Sequence, residues 1–246
     1  MLEAIIFDIE TVPTKEENLK EEDWEYIFKY ADTEEDREKQ KERLSLWALT
    51  AHLVSVALLN VSEGLALVMY LSDRDSKEEL ELREEFEGGE LELRVHMVGF
   101  SMEEGIEEAE RRILTKFWKK AKEKEGYRFV SFNGRGFDSV FLMLRSFVLG
   151  VKVSRQFIGN RYEYRNHLDL LDLLSFHGQG RKYSLEFVCR RLGIPSPKED
   201  MDGHDVKEYF AKGRYRDIAL YNLKDTIATA RIYERFRNTL GDVFGL

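Results

Sequence analysis

Two acids one residue apart close an apolar run near the amino terminus, Ala4-Ile5-Ile6-Phe7-Asp8-Ile9-Glu10-Thr11. Alternate residues of a strand face the same way, so Asp8 and Glu10 would stand side by side. At about 4 Å and an effective dielectric of about 20, two such carboxylates repel by about 4 kcal/mol, relieved by a proton or by a divalent cation. Hard cations such as Mg²⁺ take oxygen ligands, so the pair reads as half of a metal site. Acids make up 47 of 246 residues, however, and a lone Asp-x-Glu arises by chance in such a chain. The pair therefore needs partners.

Two further acids qualify. Tyr221-Asn222-Leu223-Lys224-Asp225 lies in a segment with Ile218, Ala228, Ile232 and Phe236 at helical spacing. Residues four apart on a helix share a face, so the Tyr221 phenol and the Asp225 carboxylate would point together toward the core, where an acid is costly unless paired or bound to metal. Asp138 follows the strand Arg128 to Phe132 and the turn Asn133-Gly134-Arg135-Gly136, in the first turn of a helix over 137–149. That is where a strand's carboxyl end opens into the crevice of an α/β sheet, although an Asp there also serves as a helix cap.

The elements between them are readable. Leu53–Val61 and Leu65–Leu71, joined by Ser62-Glu63-Gly64, predict an antiparallel hairpin. Residues 104–125 carry a helical stripe, and 166–174 predict a short buried strand running into a helical turn, with Asp169 and Asp172 structural, or acceptable as a cap, and support of the site from behind as the alternative for Asp169. Ser184 is expected to cap a helix that Gly193 ends. Two stretches depart from a compact pattern. Residues 15–45 predict solvated helices with an arm that touches substrate as the alternative, and acid-rich 72–92, broken at Gly88-Gly89, predicts an exposed excursion.

Composition narrows the function. With 43% hydrophobic residues the chain can bury a large core, and its net charge of −9 argues against a broad basic surface while leaving room for a local cationic groove. A single cysteine, Cys189, excludes an internal disulfide and reads as a packed residue. No apolar run has membrane-spanning length and no signal peptide is apparent, so a cytoplasmic location is expected.

Phe7-Asp8-Ile9-Glu10-Thr11, Phe132-Asn133-Gly134-Arg135-Gly136-Phe137-Asp138 and Tyr221-x-x-x-Asp225 come in the order and spacing of the DEDD exonucleases. The chain resembles the DEDDy 3′-5′ exonucleases, most closely the predicted exonucleases related to the proofreading domain of family-B DNA polymerases. The sister subtype carries a His where this chain has Leu220. Asp202-Gly203-His204-Asp205-Val206 also looks like that group, whereas Ser139-Val140 replaces the Leu-Pro that relatives often place after the acid.

The resemblance implies an α/β, ribonuclease H-like fold: a mixed sheet, antiparallel first strands and then parallel ones, flanked by helices. It implies one domain over 1–246 with charged insertions at about 15–45 and 72–92. It further implies a pair of Mg²⁺ or Mn²⁺ ions held by Asp8, Glu10, Asp138 and Asp225, with Tyr221 orienting the attacking water. Asn133 and Phe137 are then expected to contact the terminal nucleotide and Arg135 a phosphate. The expected activity is release of nucleotides from the 3′ end of single-stranded nucleic acid, with DNA the expected polymer. A non-catalytic nucleic-acid-binding module on the same fold and a 3′-5′ exoribonuclease are the alternatives.

Overall fold

A computed structural model of the chain describes residues 3–195, 203 and 205–246. Asp202 and His204 lie outside the described residues. Its centre is a seven-stranded mixed sheet in the order β4-β5-β3-β2-β1-β6-β7. The strands are β1 (Ala4–Pro13), β2 (Ala51–Asn60), β3 (Leu65–Ser72), β4 (Ser76–Phe86), β5 (Gly89–Ser101), β6 (Arg128–Ser131) and β7 (His167–Asp169). β1, β2 and β3 are antiparallel neighbours, and β6 and β7 continue from the other side of β1 in parallel. This is the ribonuclease H-like mixed sheet expected from the sequence.

The helices are α1 (Glu21–Ile27), α2 (Glu34–Glu42), α3 (Ile106–Glu123), α4 (Asp138–Val148), α5 (Leu170–Leu174), α6 (Leu185–Leu192), α7 (Val206–Ala211) and α8 (Tyr215–Phe244). No helix among the described residues is long and apolar enough to cross a membrane. Strand alternation in β1 divides the molecule. Ile5, Phe7 and Ile9 enter a core cluster with Ile113 and Phe117 of α3, whereas Ile6 joins Leu223 and Ile227 of α8 in another. Asp8 and Glu10 share the parity of Ile6 and so stand on the face that α8 crosses. A register shift between Glu10 and Thr11 marks a bulge against β2, a device that re-aims side chains beside functional sites.

Both insertions have defined structure. Residues 15–45 contain the exposed helices α1 and α2 and a short 3₁₀ turn, Arg43–Leu46. Thr11 Oγ1 of β1 donates to the Ser45 carbonyl at 2.7 Å and Thr50 Oγ1, just before β2, to that of Leu44 at 2.9 Å, which tie the end of the insertion to β1 and to the start of β2. The stretch 72–92 is not a loose excursion. It builds most of a long hairpin in which β4 pairs with β5, and β5 adds in parallel to β3, widening the sheet by two strands. Alternate residues of β4 turn toward α8. Glu78 receives both Nε and Nη2 of Arg216, at 2.8 and 2.7 Å, and Glu84 receives Arg231 at 2.6 Å. Glu78, Glu84 and Glu87 of this acid-rich stretch are thus paired to α8, while Glu79, Glu81 and Glu85 face solvent.

Candidate active site

Asp8, Glu10 and Asp225 place carboxylate oxygens within 4.8 Å of one another. β1 contributes the first two at its carboxyl half, and α8 contributes the third where it crosses that strand. Asp138, at the start of α4, lines the same cleft of about 490 Å³, as do Tyr221, Asn133 and Phe137. Side chains more than two hundred residues apart therefore meet in one acidic depression.

Asp8 and Asp138 are each held by a specific partner. Asn222 Nδ2 donates to Asp8 Oδ2 at 2.6 Å, and Asn222 Oδ1 accepts from the Ser55 hydroxyl at 2.9 Å, which orients the amide. Asp138 does not cap a neighbouring helix through its side chain. Its Oδ1 accepts the Ile9 backbone N–H at 3.1 Å, a donor beyond Ile6, where β1 stops pairing with β6. The Tyr221 phenol lies beside Asp225, one helical turn on, and lines the same cleft. Ile218 and Tyr221 are buried on the same stretch of α8, as an inward face requires.

The electrostatics follow from this crowding. Burial, reinforced by Asp138, Asp225 and Glu10, pushes the Asp8 carboxyl well above the usual carboxylate range, against the Asn222 hydrogen bond. Burial and the charges of Asp225 and Asp138 raise Glu10 in the same direction. Desolvation lifts Asp138 to about 7, with Asp169 and Asp225 adding to it and backbone N–H groups opposing it. Burial and then the neighbouring acids raise the Tyr221 phenol, so it stays protonated at neutral pH. Such a cluster holds protons or cations, and its all-oxygen donor set suits a hard divalent ion.

The turn before Asp138 is fixed from below. Asp169 accepts the backbone N–H groups of Asn133 and Arg135 at 2.9 Å each, and also caps α5 through Leu171 at 2.9 Å. Asn133 takes φ of +67°, and a Cβ on Gly134 would lie 2.0 Å from Ser131 Oγ, so glycine is required there. Ser131 in turn bonds His167 Nε2 at 2.7 Å. Arg135 behaves differently from the expectation. Its guanidinium donates to the Gly159 carbonyl at 2.8 Å, and it is not among the cleft-lining residues. Sequence reasoning missed Asn222 altogether. It stands three positions before Asp225 on the same helical face, so an amide within an inward stripe was the available signal.

Residues 88–244, more than half of the chain, match the family described as predicted 3′-5′ exonuclease related to the exonuclease domain of PolB. The chain belongs to this family. The matched residues of this exonuclease-family chain contain Asp138, Tyr221 and Asp225, while Asp8 and Glu10 precede them. An uncharacterized protein of Methanocaldococcus jannaschii is 33% identical over 112 residues, covering 44% of this chain and 58% of that protein. A DNA polymerase of Pyrococcus glycovorans is 25% identical over 142 residues, covering 52% of this chain and 18% of the polymerase. The structure of the family B DNA polymerase from the archaeon Pyrobaculum calidifontis shares the fold, with a TM-score of 0.58 and 21% identity, over 96% of this chain and 24% of that one. The chain thus spans less than two thirds of each of these relatives.

Proposed function

We propose that the chain is a divalent-cation-dependent 3′-5′ exonuclease that removes nucleotides from the 3′ end of single-stranded nucleic acid, DNA in preference to RNA, with both insertions built into one domain. The observation that carries this reading is the convergence of Asp8, Glu10 and Asp225 within 4.8 Å, with Asp138 and Tyr221 in the same cleft.

The four carboxylates would hold Mg²⁺ or Mn²⁺, which when bound would lower the pKa of water and stabilise charge on the attacking and leaving oxygens. The remaining roles belong to the chain. Asn222 fixes the rotamer of Asp8, so that its free oxygen faces the cleft. The Ile9 N–H does the same for Asp138. The Tyr221 hydroxyl, kept protonated, positions the attacking water by hydrogen bonding and does not act as a base. Asn133 and Phe137, on the rigid turn above Asp169, meet the terminal nucleotide.

The test is incubation of 5′-labelled single-stranded DNA and RNA with Mg²⁺ or Mn²⁺, with and without chelator. A ladder that shortens from the 3′ end and vanishes with chelator, in Asp8→Ala and in Asp225→Ala supports the reading. Activity that survives any of the three contradicts it, and binding without cleavage in every condition favours a non-catalytic module.

A further inference from the structure

Among the described residues lining the acidic cleft, Arg43 is the one Lys or Arg; the other charged groups are Asp8, Glu10, Glu42, Asp138, Glu186 and Asp225. Arg43 comes from the first insertion, at the start of the 3₁₀ turn that Thr11 and Thr50 fasten to the sheet. It is exposed and forms no ion pair with a described carboxylate; its guanidinium lies over the Trp47 ring, 5.9 Å from the centroid. It is held on an aromatic face at the mouth of the cleft.

The cleft does not end there. Leu46 and Phe137 line it and also line a second, wider groove of about 1000 Å³ that runs between the first insertion and α4. Its walls carry exposed apolar and aromatic side chains, Tyr26 80% and Leu49 68% exposed on one side with Val140 and Leu144 on the other, and two acids, Asp23 and Glu107. The wall is anchored. Buried Arg145 bonds the Ala48 carbonyl at 3.4 Å and Glu110 at 2.9 Å through Nε, and Glu110 also accepts the Leu53 N–H at 2.6 Å.

We infer that this groove carries the single strand upstream of the scissile phosphate, with Arg43 on an upstream phosphate and Trp47 against the bases that precede the terminal nucleotide on Phe137. The inference rests on the exonuclease reading for which end of the strand enters the cleft. A planar guanidinium pre-set on a ring matches a phosphate's paired oxygens, and exposed aromatics accept bases without regard to sequence. The acids alone would repel those upstream phosphates. A cation at the junction, with Trp47 and the exposed apolar side chains of the groove behind it, accommodates charge first and bases next. Arg43 is thereby a positioning residue that takes the phosphate contact for which Arg135 is not placed.

The experiment separates this from the chemistry. Anisotropy of fluorescently labelled dT8 is measured with the full chain in Ca²⁺, and hydrolysis of the same oligonucleotide is followed separately in Mg²⁺. Arg43→Ala and Trp47→Ala are each expected to weaken dT8 binding about tenfold or more. Arg37→Ala, an equal loss of charge on the same insertion outside both cavities, is expected to bind as wild type. Thermal melts confirm folding, and the exposed Arg43 variant decides the matter if Trp47→Ala melts early. Binding that depends on Arg43 without hydrolysis sinks the exonuclease reading and keeps the groove. Hydrolysis with Arg43→Ala binding as tightly as wild type, or with Arg37→Ala weakened equally, sinks the groove alone. Absence of binding by wild type overturns both, and competition for the groove by a protein but not by dT8 overturns the choice of occupant.

Discussion

Asn222 donates its amide to Asp8 at 2.6 Å across 214 positions of sequence, and so couples the aim of a β1 acid to the seating of α8 on the sheet. Because Ser55 occupies the amide oxygen, the nitrogen has one orientation that satisfies both partners. Asn222→Ala leaves the Ser55 hydroxyl and one oxygen of Asp8 without their partner. The expected cost is about 1–3 kcal/mol of stability, together with a roughly tenfold higher cation concentration for half-maximal activity. Metal titrations of turnover alongside urea melts measure both, and an unchanged cation requirement would show that Asp8 is aimed by something else.

Tyr221 makes a cleaner probe, since removing one oxygen leaves the ring packed. Tyr221→Phe is expected to lower kcat by about 10²-fold, the range for a positioned proton-handling group, while KM for a single-stranded oligonucleotide moves less than about twofold. Single-turnover and steady-state kinetics separate the two. Wild-type kcat in the variant would refute the role given to the hydroxyl.

His167 supplies a pH signature outside the acids. It is buried, bonded to Ser131, and packed against the stacked rings of Phe7 and Phe157 with centroids at 5.5 and 5.8 Å. Desolvation first, then the Arg135 and Arg155 cations, hold its imidazole down at about 3, against 6.5 ordinarily. The folded state then binds fewer protons than the unfolded one, so this contribution to stability is complete above about pH 6.5 and is lost as pH falls toward about 3. The loss is on the order of 2–4 kcal/mol. His167→Gln, which cannot take up the proton, should show a shallower decline between pH 6.5 and 4 in urea melts with chelator. Parallel curves for the two proteins would contradict the assignment.

Where the sequence was informative, the signal was periodicity. Apolar alternation through Ile5, Ile6 and Phe7 placed Asp8 and Glu10 on one face, and four-residue spacing placed Tyr221 with Asp225; in the structure these meet. Cys189 is buried as expected, with its thiol pushed up to about 11 chiefly by desolvation. What failed depended on partners far along the chain. β4 reads as solvated acids because Arg216 and Arg231, which accompany Glu78 and Glu84, belong to the last helix. Yet its period-two placement of Leu80, Leu82 and Phe86 was a strand signal. Asp169 looked like a simple cap, and it is one, but it also fixes the turn that presents Asp138, a job visible only once β6 and β7 lie side by side. Arg135 was assigned by motif, and its guanidinium turns to Gly159 instead.

The central claim is that Asp8, Glu10, Asp138 and Asp225 together form a site for divalent cations, and titration of the chelator-treated protein with Mn²⁺ tests it most directly. Because Asp8, Glu10 and Asp138 are raised, Asp138 to about 7, protons and cations compete, and saturable binding should tighten from pH 6 to pH 8 with release of protons. Asp8→Asn and Asp225→Asn should each weaken it at least about tenfold. Absence of saturable Mn²⁺ binding, or binding that both variants retain unchanged, would contradict the account.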